Sequence, residues 1–178
     1  MQGLTLESYV AEMEKIGEQE FSEIYRPKTV IIVNRRIKPD QRKDKNDKPW
    51  QTSRLNRDDL YGVWDQTTNA LVYTISNSTP TYICREAGMG FDSIIIDDPA
   101  VSMLHASISP RINHTTYYIK DHNSKIGVYA DGKRLNPNEE FELQNGQTVY
   151  LGPGVRAPAS LEFRTGQGFV DLVKNLTS

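Results

Sequence analysis

The chain has one cysteine, Cys84, among 178 residues. No intrachain disulfide is available, so a disulfide scaffold of the small secreted type is excluded and the fold must rest on a buried core. There is no run of 18 or more apolar residues and no basic start leading into an apolar segment, which argues against a membrane-spanning helix and a secretory leader. A soluble chain in the cytoplasm is the expected state. Histidine is scarce as well: His105, His114 and His122, with Cys84, show none of the paired short spacings of a zinc site. No metal and no cofactor are expected. Nor does one sign of charge dominate, since 21 Lys and Arg face 23 Asp and Glu for a net of −2. That excludes a wholly basic nucleic-acid binder.

What is present is unevenly distributed. Residues 1–25 carry a net −5, residues 26–57 a net +8 and residues 58–178 a net −5. In the middle stretch Arg35, Arg36, Lys38, Arg42, Lys43, Lys45 and Lys48 crowd together, interrupted by Asp40, Asp44 and Asp47. No regular aromatic interleaving supplies stacking platforms, so a mobile solvated loop is expected there and nucleic acid is not the expected partner. With 37% hydrophobic and 25% charged residues, the length suits one domain with an extension.

Periodicity sets the expected elements. Leu4–Tyr25 places Leu6, Val10, Met13 and Gly17 on one side at helical spacing, with Thr5 as a cap, a break at Gly17 and Pro27 as the end. Thr29–Val33 is a compact β-branched run and reads as a strand. From residue 60 the texture becomes short β-prone runs: Leu60–Trp64, Ala70–Ile75, Thr81–Cys84, Ser93–Ile96, Thr115–Ile119, Gly127–Ala130, Gln147–Leu151 and Leu161–Arg164. Asp131-Gly132 and Asn145-Gly146 mark tight hairpins. Gly166–Gly168 reads as a turn, Phe169–Val173 as a segment returning to cover an edge, and the end after Lys174 as frayed. The expected architecture is all-β, an antiparallel β-sandwich over residues 60–173, preceded by an N-terminal helical extension over 1–59 and followed by a tail, 174–178.

Catalytic chemistry finds little support. Ser102, His105 and Asp121 can be assembled into a nominal triad, but Ser102 lacks the strand-turn-helix setting of such a nucleophile. Asp97-Asp98 and Glu139-Glu140 read as solvated charge. No enzyme is expected. Binding chemistry fares better. Arg85 follows a strand, and Ser102 and Lys125 occupy two further turn-rich connections. Sandwich loops that converge at one end would bring an arginine fork, a hydroxyl and a mobile ammonium together around a phosphate.

The segments YICREAGMGFDSIIIDDPAVSMLHASI and YYIKDHNSKIGVYADGKRLNPNEEFELQNGQTVYLG resemble a forkhead-associated domain over about residues 70–165. The resemblance implies a sandwich whose loops at one end recognise phosphothreonine peptides. It implies that Arg85 and Ser102 bind phosphate, that His105 stabilises the loop internally, and that Lys125 stands beside the bound peptide. Cys84 replaces the usual preceding glycine. Met103 stands where Arg or Asn is common, and Ile126 where an asparagine usually bonds the peptide backbone; neither offers a polar contact. Gly127 and Gly132 match structural glycines, and Asp131 replaces an asparagine. The expected function is non-catalytic recruitment of a threonine-phosphorylated protein. The alternative is a phosphate-independent adaptor or assembly role, in which Met103 and Ile126 form an apolar patch for a constitutive protein partner or a second copy of the chain.

Overall fold

The computed structural model describes residues 3–37, 63–64, 70–88, 92–112 and 115–177. The basic stretch from residue 38 onward, residues 60–62 of the first expected sandwich strand, and His114 lie outside the described residues.

Two sheets face each other. The larger runs in the order β1 (Leu4–Thr5), β4 (Leu71–Ile75), β2 (Thr29–Ile37), β13 (Ala159–Thr165), β12 (Thr148–Leu151), β9 (Val128–Ala130) and β10 (Lys133–Arg134), with β3 (Val63–Trp64) paired to the end of β2. The smaller runs β11 (Glu140–Leu143), β8 (Tyr117–Asp121), β7 (Ala106–Pro110), β5 (Thr81–Cys84) and β6 (Ser93–Ile95). Among the described residues every ladder is antiparallel except that of β5 with β6. Between the sheets lie Ile31, Val33, Ile83, Ile94, Ile108, Ile119, Val128, Leu151, Leu161 and Phe163.

The expectation of an all-β sandwich with helix only in an N-terminal extension is overturned. Among the described residues there are three α-helices, α1 (Leu6–Ile16), α2 (Glu18–Tyr25) and α3 (Gly166–Thr177). Together they bury a second core made of Leu6, Tyr9, Met13, Phe21, Tyr25, Phe169, Val170 and Val173 against Val30, Ile32 and Val72 of the larger sheet. The segment expected to return as an edge cover is therefore helix, and the stretch expected to fray is its last turn. The physical reason lies in β2. Its run Val30-Ile31-Ile32-Val33 is apolar at successive positions, and residues of opposite parity face opposite sides of a strand. Ile31 and Val33 enter the core between the sheets, and Val30 and Ile32 the core under the helices. Such an unbroken run belongs to a strand covered on both faces. β2 also lies inside the sheet, between β4 and β13, although the sequence reading placed it in the extension.

Local chemistry explains the helix ends. The Thr5 hydroxyl accepts from the Ser8 N–H, which caps α1. Gly17 has φ of 88° and separates α1 from α2, a conformation that side chains with a Cβ resist. Four strands had no counterpart in the sequence reading. β1 falls where the helix was expected to begin and pairs with β4. Ala106–Pro110 is poor in β-branched residues, yet Ala106 and Ile108 point into the core while Ser107 is bonded to His122 at 2.8 Å. Lys133–Arg134 and Glu140–Leu143 are short and largely exposed edge strands.

Candidate functional site at the loop end of the sandwich

The loops after β5, β6 and β8 meet at one end of the smaller sheet. Arg85 leaves β5, and its backbone N–H donates to the Ser102 carbonyl at 3.1 Å. The Ser102 hydroxyl oxygen accepts from the Lys125 backbone N–H at 3.0 Å. Two hydrogen bonds therefore join all three residues of the predicted clasp, from three separate loops. The Ser102 hydroxyl proton is left available to a ligand oxygen. The Arg85 side chain is 36% exposed, with Nη2 3.3 Å from the Glu86 carboxylate. An exposed pair of this kind contributes about 0–1 kcal/mol, so a phosphate dianion can displace Glu86. Lys125 is exposed.

His105 ties this end together from beneath. It is fully buried. Its Nδ1 accepts from the Ser102 N–H at 3.2 Å, and its Nε2 lies 3.3 Å from the Gly127 carbonyl. Both contacts are satisfied by the neutral ring with the proton on Nε2. Burial pushes its pKa below the ordinary 6.5, against the opposing pull of the Gly127 bond and the Asp121 charge. The neutral ring is thus the folded form, and a proton on Nδ1 would break the bond to Ser102. Because the folded pKa is depressed, this contribution to stability is complete above about pH 6.5 and is lost as pH falls from there toward the folded value. His122 is shifted the same way, chiefly by burial. Urea unfolding between pH 7.5 and 5.5 should show a falling midpoint, with a shallower fall in His105→Gln. Equal slopes in the two proteins would refute the assignment to His105.

The loop that carries Lys125 is pinned by residues that the sequence reading did not place at the site. Asp121, fully buried, accepts the Ser124 N–H at 2.8 Å, and the Ser124 hydroxyl accepts the Gly127 N–H at 3.1 Å. Arg134 donates to the Ser124 carbonyl at 3.3 Å and lies across Gly127, where a Cβ would come within 2.5 Å of its Nε. Gly127 also has φ of 78°. The Asp-x-x-Ser spacing was the readable signal, since an aspartate that accepts from a backbone N–H a few residues on is a common loop device. Asp98 was read as solvated charge; it is instead 9% exposed and accepts the Ala100 N–H at 2.9 Å, shaping the turn into Ser102.

The remaining named residues divide. Met103 is 51% exposed. Ile126 is half-buried and packs on Gly152, where a Cβ would lie 2.9 Å from its Cδ1. Asp131 and Gly132 have φ of 50° and 76° and form the β9–β10 turn, away from the clasp residues. Among the described residues no cluster of three or more His, Cys, Asp or Glu side chains is arranged to hold a metal, and no helix is long and apolar enough to cross a membrane.

Residues 89–152 match the family model of the FHA domain, a range that includes Ser102, His105 and Lys125 and begins after Arg85. A search of curated proteins gives no match. Among solved structures, the chain is similar to the FHA domain of the CT664 protein from Chlamydia trachomatis, at 14% identity over 77% of this chain and 96% of that one, with a TM-score of 0.50. It is similar to full-length yeast Pml1p at 16% identity over 92% of this chain and 95% of that one, with a TM-score of 0.51. A second structure, of the yeast Pml1 splicing factor, gives 16%, 92%, 93% and 0.51. FHA domains are non-catalytic interaction modules. The matched segment and the two-sheet architecture together identify an FHA-domain fold in this chain.

Proposed function

We propose that the chain recruits a protein partner phosphorylated on threonine, through a clasp formed by Arg85, Ser102 and Lys125. The observation that carries this reading is the pair of hydrogen bonds by which Ser102 holds the other two loops. Arg85 supplies a planar fork for two phosphate oxygens, Ser102 a hydroxyl donor and Lys125 a movable charge. The partner's threonine methyl and backbone would meet Met103 and Ile126, where no polar side chain is offered, so the phosphate supplies most of the affinity. No bond is made or broken. The lone, buried Cys84 suits the reducing cytoplasm, where we place this recruitment.

Titration of the full chain with a degenerate phosphothreonine peptide library and with the same library unmodified tests the reading. Binding of the phosphorylated library alone is expected. Equal binding of both would instead favour a phosphate-independent adaptor, for which the exposure of Met103 beside Ser102 is the motivating observation.

A further inference from the structure

Along β2 the side chains alternate between the core under the helices and the core between the sheets. Arg35 is next in the series of Ile31 and Val33 and so emerges between the sheets at their end. Its Nη2 donates to the Ile95 carbonyl at 2.7 Å. Ile95 pairs in register with Cys84, the residue before Arg85, and the Cys84 carbonyl accepts the Ile96 N–H at 2.8 Å. Arg35 is thus fastened to the strand pair from whose end Arg85 emerges.

Arg36 faces the other way and is fastened to the loop after β12. Its backbone N–H donates to the Pro158 carbonyl at 3.0 Å, its Nε to Ala157 at 3.0 Å and its Nη2 to Gly154 at 3.4 Å. That loop reaches the Lys125 loop, through the Gly152 N–H on the Gly127 carbonyl at 2.7 Å and through Ile126 against Gly152. Both arginines are therefore built into the end of the sandwich that carries the clasp.

Carbonyl oxygens position a guanidinium without neutralising it. Arg111, Arg164 and Lys174 are matched by Glu140, Glu162 and Glu18, whereas among the described residues no carboxylate forms an ion pair with Arg35. Its Nε is buried and has no hydrogen-bond partner among them. Among the described residues the acids in this part of the molecule are Glu86, engaged with Arg85, Asp97, which is exposed, and Asp98, engaged with the Ala100 N–H. A fixed cation at a recognition surface selects an oxygen anion, and its pre-positioning lowers the ordering cost of the contact.

We propose that Arg35 forms a second anion contact next to the clasp, which takes carboxylates or a further phosphate on the residues flanking the partner's phosphothreonine. The proposal rests on the phosphothreonine reading above. It makes the partner an acidic or multiply phosphorylated segment, and it gives the positive end of the sandwich a use beyond one phosphate.

Three synthetic peptides with one shared phosphothreonine test it by calorimetric titration of the full chain, with the unmodified form of the first as a control: neutral flanks, Asp and Glu flanks, and a flank carrying a second phosphothreonine. One or both anionic peptides should bind about tenfold more tightly than the neutral one, the gain expected of one charge-assisted contact. The arm that gains more identifies the source of the anion. Arg35→Gln should erase the gain and leave affinity for the neutral-flank peptide unchanged, while Arg35→Lys keeps part of it. If Arg35→Gln lowers the Tm, Arg35→Lys is read in its place and should cut the gain at least threefold. Equal affinity for all three peptides overturns the second contact and leaves the clasp standing. A flank preference that Arg35→Gln removes, with no discrimination between the neutral phosphopeptide and its unmodified form, overturns the clasp and leaves the second contact standing. Failure of all three to bind overturns both.

Discussion

Arg85→Ala is expected to weaken binding of a phosphothreonine peptide by roughly 100-fold while leaving the protein folded. A hydrogen bond to a charged group is worth about 1.5–3 kcal/mol, and the upper part of that range corresponds to about 100-fold. Arg85 belongs there because a fork can engage two phosphate oxygens at once. Arg85→Lys keeps the charge and loses the fork, so a loss of about tenfold is expected. Folding is spared because the hydrogen bond from Arg85 to Ser102 uses the backbone N–H, and the side chain's partner is the exposed Glu86. The unfolding free energy should change by less than about 0.5 kcal/mol. Peptide titration beside urea unfolding separates these effects. Unchanged affinity in Arg85→Ala would remove Arg85 from the site, and a large loss of stability would show that the side chain has a structural role.

Phe169→Ala should cost about 3–5 kcal/mol of folding free energy, the usual range for emptying a buried aromatic site. Phe169 is fully buried. Its ring meets those of Tyr9 at 5.1 Å, Tyr25 at 5.9 Å and Phe21 at 6.3 Å, the first two edge to face. One residue of α3 therefore joins α1 and α2 over the larger sheet. The cavity cannot collapse easily, because the Tyr25 hydroxyl is held by both oxygens of the Glu12 carboxylate, at 3.1 and 2.9 Å. The denaturant midpoint measures the loss. A cost below about 1 kcal/mol would mean that the helices are appended to the sandwich without sharing its stability.

That helical layer is also where the sequence was least readable. Gly166-Gln167-Gly168 has the composition of a turn, and glycine disfavours a helix interior. In the structure both glycines open α3 because there is no room for a Cβ. One at Gly166 would press on the carbonyl oxygens of Arg26, Lys28 and Tyr25, and one at Gly168 on the Asn145 side chain. Close approach, a tertiary fact, looks the same in sequence as conformational freedom. The hairpin at Asp131-Gly132, by contrast, was readable because its signal is local: positive φ is required at the turn itself. Asn145-Gly146 was also expected to close a hairpin, but it carries the chain from β11 of the smaller sheet to β12 of the larger, and those two strands pair with others. The same division runs through the site. Arg85, Ser102 and Lys125 could be named from residue type, loop position and resemblance. The supports from Asp121, Ser124 and Arg134 depend on which groups are left to satisfy one another in a buried loop. Arg35 was read as part of a solvated charge run, and its tie to Ile95 spans the two sheets.

The pairing of β2 with β13 bears on how the chain reaches its native state. Seven register pairs, from Thr29 with Thr165 to Arg35 with Ala159, join segments well over a hundred positions apart. Contacts of such long range close slowly, since the chain entropy between them must be lost before the ladder rewards it. During synthesis Val30-Ile31-Ile32-Val33 leaves the ribosome well before its partner strand, more than a hundred positions further on, is made. Until then it is an apolar strand with an open edge, the kind of segment on which chains pair wrongly with one another. The acidic helices that precede it in the chain are made first and can cover one of its faces in the interval, so they shield the strand before they complete the core.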